Sequence, residues 1–359
     1  MVHRKLMISN IIAMALTLAG SAGAAPLYNF TSFDGAGNNA GGTTVNGINN
    51  HGDIVGFSSD NAGNPALFTN FIRNANGTFN TLNIGADPLA MANGINNART
   101  VVGGHGNGTA FQLTGNVAGT LANVNGTTTF ETAFGLNDNG LIAGQYTDSV
   151  TGTTPGFLLN GNVYRTLNPT VNAAVTNAQG VNNNGVVTGF YSLDGVHQHG
   201  FFYNSAANTF TLPADPTIPN LVLTQFLSIN DLGLAVGYYQ IPDGSQHGFL
   251  YDTTTHAYKF LDDPGAALTG VSITQITSVN NSGEIAGFYV DANTGLQRGF
   301  FATTAAVPEP GTFGLLLGSL LPITIAVRSL RRLRINSPSL EGRITQDYPA
   351  RDCTRFVRS

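Results

Sequence analysis

Cysteine, tryptophan and charged residues are all scarce in this chain of 359 residues. The only cysteine is Cys353, close to the end of the sequence, so the body of the protein holds neither a disulfide framework nor a thiolate metal site. Trp is absent, and charged residues make up only 10%. The stability of the body must therefore come from strand pairing and side-chain packing.

Basic residues are rare in the body itself. Between Pro26 and Val307 there are 16 Asp and Glu against 5 Lys and Arg, a net charge of −11. Nucleic-acid binding requires a positive footprint for the phosphate backbone, so we expect no nucleic-acid partner.

Glycine and aromatic residues are abundant instead. The chain has 45 Gly, 22 Phe and 11 Tyr, and hydrophobic residues make up 42%. This composition is typical of many short strands joined by tight turns, and it disfavours disorder.

One short phrase is repeated along the chain, in its first form at residues 45–57 (VNGINNHGDIVGF). Each copy carries an Asn followed by Asn or Asp in a turn. These pairs are Asn49-Asn50, Asn96-Asn97, Asn137-Asp138, Asn182-Asn183, Asn230-Asp231 and Asn280-Asn281. The steps between them are 47, 41, 45, 48 and 50 residues, which indicates an array of six similar units.

The fifth copy, residues 226–263, shows what one unit contains. Four short strands alternate with turns, which is the size of one propeller blade. The first turn ends in Gly in five copies, where a left-handed backbone is expected, while the second copy has Arg99 there. One position of the second strand is Gly in all six copies, which predicts a β-bulge or a close backbone approach there. These glycines are Gly56, Gly103, Gly144, Gly189, Gly237 and Gly287. The third strand carries an aromatic residue that is expected to pack between sheets: Phe111, Phe157, Phe201, Phe249 and Phe300, with Phe68 close to the same register.

The two ends of the array complement each other. The sixth copy stops after Ala302 without a fourth strand, whereas residues 28–34 are similar to the fourth-strand stretch 258–263. We therefore predict an all-β fold: a β-propeller-like ring of about six four-stranded antiparallel blades over residues 26–306, closed by the N-terminal strand 28–34. An open β-solenoid is the alternative, and it does not need a divided sixth unit.

The repeated phrase, together with His-Gly-Phe-(Leu/Phe)-Tyr at residues 199–203 and 247–251, resembles the bacterial extracellular HAF-type repeat. The resemblance covers about Val45 to Ala302. It implies export and repetition, and it implies no particular activity.

The N-terminus has the features of an export signal. Basic residues 3–5 precede a short apolar run, and small residues ending in Ala25 follow, so we expect a signal peptide over residues 1–25.

Near the C-terminus, Pro308-Glu309-Pro310 precedes an apolar run from Phe313 to Val327 and a cluster of arginines that includes Arg331 and Arg332. This order resembles the PEP-CTERM sorting signal, over residues 307–334. The resemblance implies an exosortase-type membrane protease as partner, with the C-terminal hydrophobic helix anchoring the chain in the membrane until it is processed. Residues 335–359 extend beyond the usual end of such signals and are predicted to be a disordered tail; they are either an extended reading frame or a real extension.

Several polar residues are candidates for metal binding. His197 and His199 alternate in sequence and could begin a metal site, but no third ligand follows at a diagnostic spacing, and the equivalence of His199 with His247 favours a structural role. Aspartates recur in the loop between the second and third strands, where Asx turns are expected and Ca²⁺ sites are the alternative; they are Asp60, Asp148, Asp194, Asp243 and Asp291. We predict no metal and no cofactor.

These features favour a non-enzymatic binding or structural protein, exported to the cell surface or matrix, whose partners include exopolysaccharide. One alternative is a secreted lyase or hydrolase. The body has only Glu131 and Glu284 as glutamates, and they lie in different units. Convergence of Arg99, His105 and nearby carboxylates on a deep pocket would strengthen the enzyme hypothesis. A purely structural spacer that binds its own copies is the third possibility.

Overall fold

The structure is a computed structural model that describes residues 28–305, apart from 38–40, 61–66, 116, 125, 127 and 268. Twenty-four β-strands occupy these residues. No helix in the described ranges is long and apolar enough to cross a membrane. The predicted signal peptide, the sorting signal and the tail 335–359 all lie outside the described residues.

The strands of the first three repeat units follow β1 in chain order. They are β1 (Tyr28–Phe33), β2 (Gly42–Ile48), β3 (Ile54–Ser59), β4 (Phe68–Arg73), β5 (Phe79–Thr81), β6 (Met91–Ile95), β7 (Val101–Gly104), β8 (Ala110–Thr114), β9 (Val117–Thr120), β10 (Thr128–Leu136), β11 (Leu141–Asp148), β12 (Gly156–Asn160) and β13 (Val163–Leu167). The remaining units contain β14 (Val175–Val181), β15 (Val186–Ser192), β16 (His199–Asn204), β17 (Thr209–Thr211), β18 (Leu223–Ile229), β19 (Leu234–Gln240), β20 (Gln246–Asp252), β21 (Ala257–Phe260), β22 (Thr274–Val279), β23 (Ile285–Val290) and β24 (Gln297–Thr304).

These strands form six four-stranded antiparallel sheets, which are the blades of a β-propeller. Blades one to five each use four consecutive strands, from β2–β5 to β18–β21. The first strand of every blade lines the axis, and neighbouring first strands contact each other all the way round, including β2 with β22. The predicted ring of six blades is therefore confirmed.

The sixth blade joins the two ends of the array, in the order β1-β24-β23-β22. Tyr28 pairs with Thr304 and Phe33 with Gly299, while the Phe30 and Phe300 ring centroids are 5.2 Å apart. The N-terminal strand closes the ring as expected, and the open solenoid is wrong.

The second-strand glycines have the predicted explanation. A Cβ atom at Gly237 would overlap the main-chain oxygen of Gln225 in the first strand, and the other five glycines meet an equivalent oxygen. The first strand is bulged just there in every blade, as between Phe226 and Ser228. The bulge and the close approach are one feature, because the extra residue pushes the first-strand carbonyl over the glycine.

Small residues also line the contacts between first strands, which the sequence pattern did not predict. The residue before the Ile, Leu or Val that precedes the turn is Gly47, Gly94, Gly135, Gly180, Ser228 and Ser278 in the six blades. A Cβ atom at Gly94 would lie 3.1 Å from the Cα of Gly135, and one at Gly180 would lie 2.9 Å from the Cα of Ser228. Only small side chains let six strands crowd around one axis.

The core lies between the blades. One cluster joins Val55 of the first blade to Phe111 of the second, and another joins Leu158 of the third to Phe201 of the fourth. The third-strand aromatics are fully buried at Phe71, Phe111, Phe157, Phe201, Phe249 and Phe300. Burial of each ring stabilises the fold by about 2–3 kcal/mol.

The first blade corrects one prediction. Phe71, not Phe68, pairs with Gly56 and takes the core position. Phe68 lies at the start of β4, half-buried against Phe57 at a centroid distance of 4.7 Å.

Candidate functional site

The asparagine that opens each repeat turn forms a closed ring of hydrogen bonds around the axis. Each side-chain Nδ2 donates to the main-chain oxygen of the equivalent asparagine in the next blade. The six donors and their distances are Asn49 (3.1 Å), Asn96 (3.2 Å), Asn137 (2.9 Å), Asn182 (3.0 Å), Asn230 (3.0 Å) and Asn280 (3.0 Å). Asn280 donates to Asn49 and so completes the circle.

The same asparagines also hold their own turns. Oδ1 of Asn230 accepts the N–H groups of Leu232 and Leu234 at 3.0 and 2.9 Å. An amide serves both purposes because it carries a donor and an acceptor, whereas an aspartate would lack the donor. The repeated Asn is therefore explained by ring closure as well as by turn geometry.

The next residue of each turn forms a second ring. Its N–H donates to the side-chain Oδ1 of the equivalent residue in the following blade, at 2.7–2.9 Å; the members are Asn50, Asn97, Asp138, Asn183, Asp231 and Asn281. The two carboxylates are held by amides: Oδ2 of Asp138 accepts from Asn97 at 2.7 Å and from Asn183 at 3.0 Å. We call the surface that carries these turns, residues 49–52 and their equivalents, the turn face.

The two rings leave little room at the axis. The space that they enclose is about 80 Å³, and its lining groups are already engaged in the rings. Deeper in the channel a cavity of about 200 Å³ is lined by uncharged side chains such as Asn46, Gln179 and Gln275. The axis is thus chiefly a structural element.

Arg99 and His105 do not converge on one pocket, so they give the enzyme hypothesis no support. Arg99 takes the left-handed turn position (φ 59°) and contacts Asp53 on the turn face, with Nε–Oδ2 2.9 Å and Nη2–Oδ1 2.7 Å. The Arg99 hydrogen bond lowers the pKa of Asp53. His105 follows the other end of β7 and contacts Asp87 at 3.2 Å.

The candidate metal histidines are paired with aspartates. His199 Nδ1 lies 2.6 Å from Asp215 Oδ2, and His247 makes the equivalent contact with Asp262 at 2.7 Å. His197 lies before β16 and contacts Asp194 at 2.7 Å. In the described part of the chain, no three His, Cys, Asp or Glu side chains form a metal-binding group.

Arg298 takes the place of His199 and His247 in the closing blade, where it contacts Asp34 at 3.0 Å. The shared role of these positions is to attach the fourth strand, as their equivalence suggested.

Four of the five recurring loop aspartates form Asx turns, as predicted, whereas Asp60 accepts from Leu67, seven residues further on. Oδ1 accepts a main-chain N–H further along the loop in all five. The pairs are Asp60–Leu67, Asp148–Val150, Asp194–Val196, Asp243–Ser245 and Asp291–Asn293, at 2.8–3.0 Å.

Two large open spaces lie between the fourth and fifth blades. One cavity of about 450 Å³ begins on the turn face at Asn184 and Asp231, and a second of about 460 Å³ continues along residues 211–217. Both are lined by Thr211, Tyr251 and His256, so they are adjacent. We call the pair the blade 4–5 groove.

Aromatic rings and polar groups line the groove. The Tyr251 hydroxyl and His256 Nδ1 are 2.9 Å apart, and the Tyr258 hydroxyl donates to the Ala214 oxygen at 3.0 Å. Burial raises the pKa of both tyrosines, and so do Asp252 beside Tyr251 and Asp215 beside Tyr258. The phenols therefore stay protonated at neutral pH.

The repeat pattern did not predict this groove. Its outer part depends on residues 212–222, which lie between β17 and β18 outside the repeated phrase. Three prolines in this segment, Pro213, Pro216 and Pro219, were the available signal, since they keep the segment from continuing the sheet.

The predicted sorting residues Pro308, Glu309, Pro310, Arg331 and Arg332 lie outside the described residues.

No protein-family model matches the sequence, and no curated protein matches it. Solved structures with a similar fold include TolB from Acinetobacter baumannii, at 11% identity over 72% of this chain and 66% of that chain, with a TM-score of 0.46. The chain thus spans about two thirds of TolB. A protein of unknown function from Dyadobacter fermentans has 11% identity, covers 77% of this chain and 99% of its own, and has a TM-score of 0.47. Oligogalacturonate lyase from Vibrio parahaemolyticus has 10% identity, covers 80% and 99%, and has a TM-score of 0.41. Similarity at this level carries no statement about activity.

Proposed function

We propose that this protein is an exported, non-enzymatic β-propeller that binds glycan chains in the blade 4–5 groove, with the exopolysaccharide of the producing cell as its ligand. The observation that carries the proposal is the groove itself. It combines two adjacent cavities of about 450 and 460 Å³ with tyrosine rings and neutral hydrogen-bonding groups.

This lining suits a sugar better than a compact apolar ligand. Asn184, Asn204 and Thr253 supply amides and a hydroxyl at the turn face, while the half-buried Tyr258 supplies aromatic surface in the outer cavity. Sugars present hydroxyl groups at their edges and C–H groups on their faces. The polar side chains of the groove can bind the hydroxyl groups, and the aromatic surface can pack against the C–H groups.

The two adjacent cavities also favour a chain over a single sugar. Their linear arrangement, from Asp231 near the axis to Thr217 at the outer side, matches an extended oligosaccharide.

The predicted cellular address supports the proposal. A signal peptide over residues 1–25 and a PEP-CTERM-like segment over residues 307–334 would send the propeller to the surface or the matrix. An exosortase-type protease would process the chain, which the C-terminal helix holds in the membrane until then.

The position of the chain ends is compatible with such a tether. Tyr28 pairs with Thr304, and its hydroxyl donates to the oxygen of Gly283 in a repeat turn at 3.1 Å. The described chain therefore begins and ends at the turn face.

Retention of the secreted protein on polysaccharide from the producing strain tests the proposal. The Asn184→Trp variant places a large ring at the groove entrance, and we expect retention to fall about tenfold. Asn139→Trp is the matched control. Asn139 and Asn184 each donate to a main-chain oxygen in the next blade, at 3.0 and 2.9 Å, but only Asn184 lines the groove. Equal retention of both variants, or none of the unmodified protein, would refute glycan binding in the groove.

A further inference from the structure

The blade 4–5 groove is acidic at both of its ends. Asp231 lies at the inner end on the turn face, and Asp215 lies at the outer end. Among the described residues that line the two cavities, none is a lysine or an arginine. The body of the protein is also negatively charged, with a net charge of −11 between Pro26 and Val307.

These two carboxylates differ from Asp53 and Asp34 in their partners. Asp53 is paired with Arg99 and Asp34 with Arg298, so a permanent positive charge offsets each of them. Asp231 is instead held by neutral amides, since its Oδ2 accepts from Asn183 at 3.0 Å and from Asn281 at 2.6 Å.

The basic neighbour of Asp215 is the imidazole of His199, at 2.6 Å, and not a guanidinium group. Its side chain is 28% exposed, so its field reaches the cavity. Both ends of the groove therefore present negative potential to whatever enters it.

We infer that the ligand of the groove is a glycan that carries protonated amino groups, a polymer of wholly or partly deacetylated amino sugar. This inference depends on the proposed glycan-binding function and specifies its ligand class. A polyuronate would meet two like charges without a compensating cation, whereas an ammonium group is attracted at either end.

Titration calorimetry with three hexasaccharides tests the charge preference: a β-1,4-linked glucosamine oligomer, its fully N-acetylated counterpart and an oligogalacturonate. We expect the glucosamine oligomer to bind most tightly, and its affinity to fall as salt is added. Asp231→Asn and Asp215→Asn should each weaken its binding about fivefold, as expected for a partly exposed charge pair. Neither change should alter binding of the N-acetylated oligomer by more than about twofold.

The chain supplies a matched control for each variant. Asp138 occupies the same ring position as Asp231 and accepts two amides in the same way, but it does not line the groove. Asp262 contacts His247 as Asp215 contacts His199, and it also lies outside the groove lining. Asp138→Asn and Asp262→Asn should leave binding of the glucosamine oligomer unchanged.

The outcomes separate the two proposals. Equal affinity for the three oligomers, tighter binding of the galacturonate, or equal loss in the control variants would overturn the amino-sugar inference while glycan binding stands. If none of the three binds and the strain's own polysaccharide is not retained, both proposals fail.

Discussion

Asn280 of the sixth blade donates its side-chain amide to the main-chain oxygen of Asn49 in the first blade, at 3.0 Å. The partners are 231 residues apart in sequence, whereas the other five bonds of this ring connect residues 41–50 apart. Those shorter separations equal the repeat steps, so the period of the sequence is the spacing of the hydrogen bonds.

The asparagine ring predicts a large effect of a small change. Asn182→Ala removes the donor to the Asn230 oxygen and the acceptor for the Val186 N–H, both at a buried site. We expect the free energy of unfolding to fall by about 2–3 kcal/mol, because buried main-chain groups lose their partners. Urea denaturation measures it. Asn139→Ala, at an exposed turn position, should cost less than about 1 kcal/mol; similar losses for both would contradict a special role of the ring.

The second-strand glycine predicts a steric limit. Gly237→Ala places a methyl group against the Gln225 oxygen and the Phe249 ring in a buried strand. We expect a loss of more than about 3 kcal/mol, or failure to fold, because the bulged strand has no room to move away. Gly119→Ala in β9 is the control, since a Cβ atom there would lie 3.9 Å from its nearest neighbour, the Gln112 oxygen of β8. Circular dichroism during thermal unfolding compares the two, and an unchanged Tm for Gly237→Ala would show that the bulge is adjustable.

Arg99 predicts a pH-dependent contribution to stability. The pKa of Asp53 is lowered, chiefly by the Arg99 hydrogen bond, so this pair stabilises the fold above the ordinary carboxyl pKa of about 4. The contribution is lost as the pH falls through the lowered pKa. Arg99→Gly restores the usual turn residue and removes the ion pair. We expect the variant to be less stable than the unmodified protein at pH 7.

The difference in unfolding free energy between these two proteins should shrink as the pH is lowered from 5 toward 2. Chemical denaturation at a series of pH values measures it. A constant difference over this range would mean that the charge of Asp53 does not contribute.

The closing strand predicts a complementation experiment. A chain that begins at Gly35 lacks β1 and leaves the edge of β24 unpaired, so we expect aggregation or a lowered Tm. A synthetic peptide of residues 28–34 should restore the Tm by adding a strand to that edge. A peptide with Phe30 and Phe33 replaced by Ser is the control. Restoration by both peptides would indicate nonspecific binding.

The architecture could be predicted from the sequence because each blade repeats the same local signals. The Asn and Gly of the turn, the second-strand Gly and the divided sixth unit each specify a position relative to the others, and together they indicate six blades and a seam. The placement of Phe68 among the core aromatics was wrong because two phenylalanines, Phe68 and Phe71, follow the same loop, and only the pairing of Gly56 with Phe71 decides between them.

The blade 4–5 groove could not be predicted from the repeat pattern. It depends on how residues 212–222 pass over the side of the fifth blade, and this segment has no counterpart in the repeated phrase. Nor does spacing indicate that Asp231 lines the blade 4–5 groove while Asp138, in the same ring position, does not.

The pairing of β1 with β24 ties the completion of the fold to the order of synthesis. Residues 28–33 are made before residues 299–304 and have no strand partner until those residues follow. The sixth blade is therefore the last to be completed, and the ring stays open until β24 has been made.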